Sequence, residues 1–172
     1  MKICIIGFAG SGKSTLAKRL AKFYNISVLH LDSVHFLPNW IEKDDSDMES
    51  TVLDFMKMND SWVIDGNYSR IAKSRFELAD IVIYLEYNRF FCLKSVISRY
   101  RKYKNTTRSD MALGCNEKLD KEFILWVFSK GRTKKKKKYY RNLVNNAKEG
   151  YIFKNRRQLF KYLERLGLED VK

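Results

Sequence analysis

Proline occurs once in this chain of 172 residues, as Pro38, cysteine three times and histidine twice. So little proline, with no glycine- or serine-rich run, leaves no long flexible linker, and no internal repeat is present. The cysteines, Cys4, Cys92 and Cys115, are scattered and odd in number, with no C-x-x-C pair. That excludes a disulfide framework and a cysteine zinc site, and it predicts a reduced, cytoplasmic protein. Two histidines, His30 and His35, are too few for a histidine metal centre, and each reads as structural. No apolar stretch is long enough to cross a bilayer. The N-terminus runs straight into an apolar run, with no room for a signal peptide. Acidic residues are scarce in one half only. Residues 1–88 carry 10 Lys and Arg against 12 Asp and Glu, and residues 89–172 carry 24 against 8, so the net charges are −2 and +16. Their sum is the overall +14. Such asymmetry points to a polyanionic partner, either the phosphates of a nucleotide or a nucleic acid.

What the chain does have begins at its start. Lys2-Ile3-Cys4-Ile5-Ile6 is an apolar run that suits a buried parallel strand. After it, Leu16, Ala17, Leu20 and Tyr24 recur at helical spacing. Between the two lies "GFAGSGKST", residues 7–15, in which Gly7, Gly12, Lys13 and Ser14 match G-x-x-x-x-G-K-[ST]. The glycines allow successive backbone N–H groups to turn inward around an anion, and the helix N-terminus adds its dipole. Lys13 is placed to reach the β- and γ-phosphates of ATP, and the Ser14 hydroxyl to ligate Mg²⁺. Gly7, Gly10, Ser11, Gly12, Lys13, Ser14 and Thr15 are therefore the candidate nucleotide-binding residues.

Four more apolar runs follow: Val28–Leu31 up to Asp32, Trp62–Ile64 up to Asp65-Gly66, Ile81–Leu85 up to Glu86, and Tyr151–Phe153 close to Asn155. Strands alternating with helices predict an α/β fold: a parallel sheet with helices on both faces, in one domain over 1–172. Asn155-Arg156-Arg157-Gln158 has the form of a capping box for a last helix with the stripe Leu159, Phe160, Leu163 and Leu166, stopped by Gly167. Two stretches interrupt the alternation. Residues 33–60 hold Pro38 within "HFLPNW", then acids and a short helix. Residues 99–149 are basic and mostly helical, with stripes Leu119, Phe123, Trp126, Val127 and Tyr140, Leu143, Val144, Ala147.

Ligands of open α/β sheets bind at the carboxyl ends of the strands, where Asp32 and Asp65 fall. One acid can orient an acceptor hydroxyl and take its proton, and another can hold Mg²⁺; each could equally be a helix cap or turn residue. Asp32 is the candidate for the acceptor, Asp65 with Ser14 for the metal. A transferring phosphoryl group also needs cations. Arg99 and Arg101, after the helix of the fourth strand, and Arg108 and Arg132, in the basic stretch, can supply them from a mobile lid, or be a solvated surface. Arg101 and Arg132 join Lys13 as catalytic candidates; Arg99 and Asn155 join the nucleotide-binding ones. The run Lys134–Lys138 has the form of a solvated face.

"GFAGSGKST", "HLDSVHFLPNW", "WVIDGNYS", "NRFFCLKSVISRYRKY" and "GRTKKKKKYY" together resemble the FlaR-type DNA topology modulation proteins, P-loop proteins related to adenylate kinase and other small-molecule kinases. The resemblance covers nearly the whole chain. It implies a three-layer P-loop NTPase fold with five parallel strands in the order 2-3-1-4-5, an acceptor-side insert at 33–60 and a basic helical lid at 99–149. Asp65-Gly66 resembles the Asp-Gly of the adenylate kinase motif DGFPR, whose acid helps hold Mg²⁺. "DGNYSR" departs from it, since the proline is missing and Arg70 sits one place late. Arg99 and Arg101 resemble lid-entry arginines, and Asp32 resembles the acid that orients the acceptor hydroxyl in shikimate-type kinases.

Three functions fit these residues. The first is a small-molecule kinase for nucleoside- or nucleotide-like acceptors, with Phe36, Trp40 and Tyr68 lining the acceptor pocket or packing in the core. The second is a DNA- or RNA-binding ATPase, whose cations alternate with Tyr100, Tyr103, Tyr139 and Tyr140 and would bind DNA weakly and without sequence preference. The third is a nucleotide-binding regulator without turnover.

Overall fold

A computed structural model describes residues 1–168 of the chain. Among the described residues are seven strands and eight α-helices, which alternate except at one hairpin and where three helices follow one another. The sheet strands are β1 (Lys2–Gly7), β2 (Ser27–His30), β5 (Trp62–Asp65), β6 (Ile81–Leu85) and β7 (Glu149–Phe153). A two-residue hairpin, β3 (Phe36–Leu37) and β4 (Ile41–Glu42), stands apart from them. The helices are α1 (Lys13–Tyr24), α2 (Leu31–His35), α3 (Asp45–Met58), α4 (Ser74–Leu78), α5 (Arg89–Tyr103), α6 (Lys121–Phe128), α7 (Lys134–Asn145) and α8 (Arg156–Arg165).

The five sheet strands are all parallel and lie in the order β2-β5-β1-β6-β7. With the hairpin strands set aside, the order is 2-3-1-4-5. The central strands β1, β5 and β6 are apolar on both faces because both faces are covered, as their unbroken hydrophobic runs require. β2, at the edge, is only half buried. Helices pack around the sheet: α1 against β5 and β2, α7 against β6 and β7, α8 against β7. Parallel pairing brings the carboxyl ends of β1, β2 and β5 together at one edge, and the loops that leave them form the site.

Local signals explain the boundaries. Asn88 caps α5, Asp120 caps α6, Thr133 caps α7 and Asn155 caps α8, each side chain accepting a hydrogen bond from a first-turn amide. The capping box of α8 closes with Gln158 reaching back to the Lys154 amide, one residue earlier than the usual partner. At its other end Gly167 takes a left-handed conformation (φ 80°), and Leu168 N–H donates to the Leu163 carbonyl.

Three details differ from the sequence expectations. The second strand stops at His30, and Leu31 already begins a helix, so Asp32 lies in the first turn of α2. Helix α5 continues to Tyr103, so Arg99 and Arg101 are inside it and do not follow it. The basic stretch starts with an irregular segment, 104–120, pinned by isolated bridges at Lys104–Glu117 and Thr107–Asn116. No described helix is long and apolar enough to cross a membrane.

Candidate active site

The loop between β1 and α1 is shaped by backbone that only glycine adopts easily. Gly10 has φ +76°, and a Cβ there would fall 2.3 Å from the Cys92 carbonyl oxygen. The loop therefore lies directly on α5, with no room for a side chain. Gly12 has φ +90° and serves as the N-cap of α1 without a side-chain cap, and a Cβ at Gly12 would meet nothing within 4 Å. The start of α1 thus has no side-chain cap and borders the cleft at Gly12, Lys13 and Ser14, an arrangement able to receive a phosphate. Lys13 Nζ folds back 3.4 Å from the Phe8 carbonyl. The Ser11 hydroxyl is buried without a partner among the described residues.

Asn67, in the "DGNYS" segment, fixes this loop from the side. Its amide accepts from Gly7 N–H at 3.0 Å and donates to the Gly7 carbonyl at 2.8 Å. The preceding Asp65 is the hub of the site. Ser14 Oγ donates to its Oδ2 at 2.9 Å, and His30 Nδ1 contacts its Oδ1. Asp65 and His30 are opposite one another in the pairing of β5 with β2, so sheet register brings them together. A hydroxyl and a carboxylate oxygen at this separation, beside an uncapped helix N-terminus, are a donor set suited to Mg²⁺ beside a triphosphate.

Asp32 lines the same cleft. Its Oδ1 accepts from the Tyr68 hydroxyl at 2.8 Å. Burial first, then the negative charge of Asp32, pushes the Tyr68 phenol far above its ordinary range, so it remains a donor. The cleft has a volume of about 1650 Å³ and runs from Gly10, Gly12 and Lys13 past Asp32 and Tyr68 to the segment 104–120.

That segment is held by a buried ion network that the sequence pattern does not reveal. Glu117 accepts from Arg99 Nε at 2.8 Å and from Arg108 Nε at 2.7 Å. Arg108 Nη1 also donates to Asp110 at 2.5 Å. Lys18 of α1 reaches Ser109 at 2.7 Å and Asp110 at 3.4 Å. Burial and then Arg108 pull the pKa of Arg99 down, against the pull of Glu117. Burial would raise the Asp110 carboxyl, but Arg108 and Lys18 outweigh it and hold it below the usual carboxylate range. On its other side the segment meets the hairpin, where Trp40 Nε1 donates to the Asn116 carbonyl at 3.0 Å and Asn39 N–H to the Gly114 carbonyl at 3.3 Å.

The cleft thus gathers Gly10, Gly12, Lys13, Ser14, Thr15, Asp32 and Arg99, with Gly7, Ser11 and Asp65 directly beside it. Three expected residues are placed elsewhere. Arg101 lies two residues from Arg99 on α5, about 200° around the helix, and borders a separate shallow groove with Phe90, Leu93 and Ile97. Asn155 is not in the cleft lining, because its side chain is spent capping α8. Arg132 is buried against the Phe8 ring, 4.0 Å from its centroid, and donates to the Tyr87 carbonyl. It supports the loop from beneath. Lys18, Asn67, Arg108 and Arg156 line the cleft, and of these only Arg108 is among the candidate residues singled out from the sequence. Arg156, adjacent to Asn155, packs over Phe91 at 5.1 Å. A residue at the first position of a helix that leaves the carboxyl end of a strand was the available signal.

No family model matches the chain. No curated protein matches it either. Solved structures do. A shikimate kinase from Acinetobacter baumannii in complex with shikimate is 14% identical with a TM-score of 0.55, covering 99% of this chain and 95% of that one. A deoxyadenosine kinase from M. mycoides with bound dATP is 18% identical with a TM-score of 0.56, covering 97% and 100%. An uncharacterized protein from Eubacterium ventriosum is 21% identical with a TM-score of 0.51, covering 95% and 99%. The likeness extends over nearly the whole of each chain, and the fold is the P-loop kinase fold.

Proposed function

We propose that this P-loop protein is an ATP- and Mg²⁺-dependent phosphotransferase that moves the γ-phosphoryl group to a hydroxyl of a small molecule. The observation that carries this reading is the pairing of Ser14 with Asp65 at 2.9 Å, beside the cleft that Asp32 and Tyr68 also line. Loop amides and Lys13 would bind the triphosphate, with Ser14 and Asp65 beside its metal. Mg²⁺ supplies neutralisation of charge on the phosphate oxygens. Asp32, one oxygen of which is engaged by Tyr68, would orient the acceptor hydroxyl with the other and take its proton. Arg156, which lines the cleft, is the cation nearest to hand for the lid role, while Arg99 and Arg108, tied to Glu117, would hold the segment 104–120 in place. Residues 33–60 would then be the acceptor-side insert and 99–149 the lid of a single domain. Two neighbours in fold are named as kinases of shikimate and of deoxyadenosine, which is in keeping with small-molecule phosphotransfer. The motifs that resemble the FlaR-type proteins agree with it, and three buried free thiols are in keeping with a cytoplasmic setting.

The test is a phosphoryl-transfer screen with Mg·ATP over a panel of hydroxyl acceptors, paired with calorimetry of ATP binding. Lys13→Ala should lower ATP affinity at least tenfold, about 1.4 kcal/mol. Equal affinity in the variant would count against the loop as the ATP site. Asp32→Asn should abolish transfer while leaving ATP affinity unchanged, and Asp65→Asn should weaken the Mg²⁺ dependence of binding.

A second reading, weak DNA binding by the basic half, has one observation in its favour. Lys134, Lys135, Lys136 and Lys138 are exposed on α7. Lys136, however, turns to the cleft and packs over the Trp126 ring at 5.6 Å, so the run is not a uniform phosphate-tracking face.

A further inference from the structure

Resting on the reading of the cleft as a phosphotransfer site, we infer that its acceptor is an uncharged compound with a flat ring and a free hydroxyl, of the nucleoside class, and not a phosphate- or carboxylate-bearing one. The acceptor end of the cleft is built from rings and acids. His35 and Phe36 meet edge to face at 4.6 Å, as do Phe36 and Trp40 at 5.2 Å, and His35 and Tyr68 lie tilted at 4.7 Å. All four rings line the cleft beside Asp32, and Tyr68 joins the two features by donating to that carboxylate. A ring surface next to a hydroxyl-orienting acid suits a planar base carrying a hydroxylated sugar, since every nucleobase has a face to stack.

The charges closest to Asp32 argue against an anion. From 31–42 and the segment after β5, the charged side chains that line this end are Asp32 and Glu42, both negative. A phosphate or carboxylate would need a facing cation. Arg108 is engaged by Glu117 and Asp110, and Lys18 by Asp110. Lys118 lies 5.3 Å over the Trp40 ring, whose face takes up its charge. The acceptor hydroxyl oxygen forms the new bond to the γ-phosphorus, and the bond from that phosphorus to the β–γ bridging oxygen breaks, leaving its electron pair on ADP. The hydroxyl proton passes to Asp32 and then to solvent. The product, a nucleoside monophosphate, carries its new charge beside Asp32 and Glu42 and is a poor ligand for the site it leaves.

The experiment is calorimetry on the whole chain loaded with Mg²⁺ and a non-hydrolysable ATP analogue. Common ribo- and deoxyribonucleosides, their monophosphates and ring-bearing hydroxy acids are titrated in turn, and phosphoryl transfer from ATP to each is then measured. At least one nucleoside should bind tenfold or more tighter than its own monophosphate and be phosphorylated. Phe36→Ala and Trp40→Ala should each weaken that nucleoside about tenfold while the ATP analogue binds as before. Lack of binding by every nucleoside overturns the inference, as does preference for a monophosphate or hydroxy acid. In the latter case the phosphotransfer reading still stands. Failure of that reading shows separately, as wild-type protein that does not bind the ATP analogue at all.

Discussion

Replacing Glu117 with Gln probes the ion network that ties the segment 104–120 to the rest of the molecule. The Glu117 side chain is 2% exposed and serves two arginines, Arg99 at 2.8 Å and Arg108 at 2.7 Å, with side-chain exposures of 25% and 11%. Glutamine keeps the size, removes the charge, and turns one acceptor oxygen into an NH₂ facing a guanidinium donor. Breaking one partner out of a buried pair costs about 3–5 kcal/mol. The lower end applies, because Arg99 reaches solvent and Arg108 keeps Asp110 at 2.5 Å. The loss is felt first where the network holds the chain. Glu117 N–H donates to the Thr106 carbonyl at 2.9 Å, and that amide reports opening of the segment. Hydrogen exchange followed by mass spectrometry or NMR should show its protection fall about 10²-fold, the equivalent of about 3 kcal/mol. If the segment opens only with the whole protein, the melting temperature should drop instead, by roughly 10 °C for a chain of this size. Exchange within threefold of wild type together with an unchanged melting temperature would refute the reasoning.

Gly10→Ala should cost about 1–2 kcal/mol for the left-handed backbone alone, plus displacement of the loop from the Cys92 carbonyl; calorimetry should show ATP affinity falling more than tenfold, and normal binding would show that the loop has slack. Burial pushes the Cys4 thiol up to about 12, and all three cysteines are buried, so a thiol reagent at pH 8 should label native protein slowly and three sites after denaturation. Because Asp110 is held below the usual carboxylate range in the folded protein, its stabilisation is complete above the unfolded carboxylate pKa of ~4 and is lost as the pH falls further, through its lower folded value. Urea titrations of wild type and Asp110→Asn should therefore differ most above pH 4 and converge below it. Changing the exposed Lys134, Lys135 and Lys138 to Gln should leave ATP turnover nearly intact; if instead the run tracks DNA, the slope of log affinity against log salt should flatten by ~0.9 for each phosphate the variant no longer neutralises.

The sequence by itself determined the strand–loop–helix that opens the chain, the five parallel strands and the cap of the last helix. These rest on short-range rules: a fixed motif, apolar runs bounded by turn residues, and side-chain caps within three residues. It also placed Asp65 and Asp32 near strand ends, because a parallel sheet gathers its carboxyl ends on one edge. Helical phase separated Arg99 from Arg101, and that phase became visible only once α5 was known to extend to Tyr103. Asn155 carried two readings, and hydrogen bonding to the Gln158 amide settled which one its side chain follows. The partners of Glu117 and Asp110 lie on α5, on α1 and within an irregular segment that has no periodicity to read. Which charges meet was decided by tertiary structure alone, because an ion pair depends on distance across the fold, and distance across the fold is not written in local spacing.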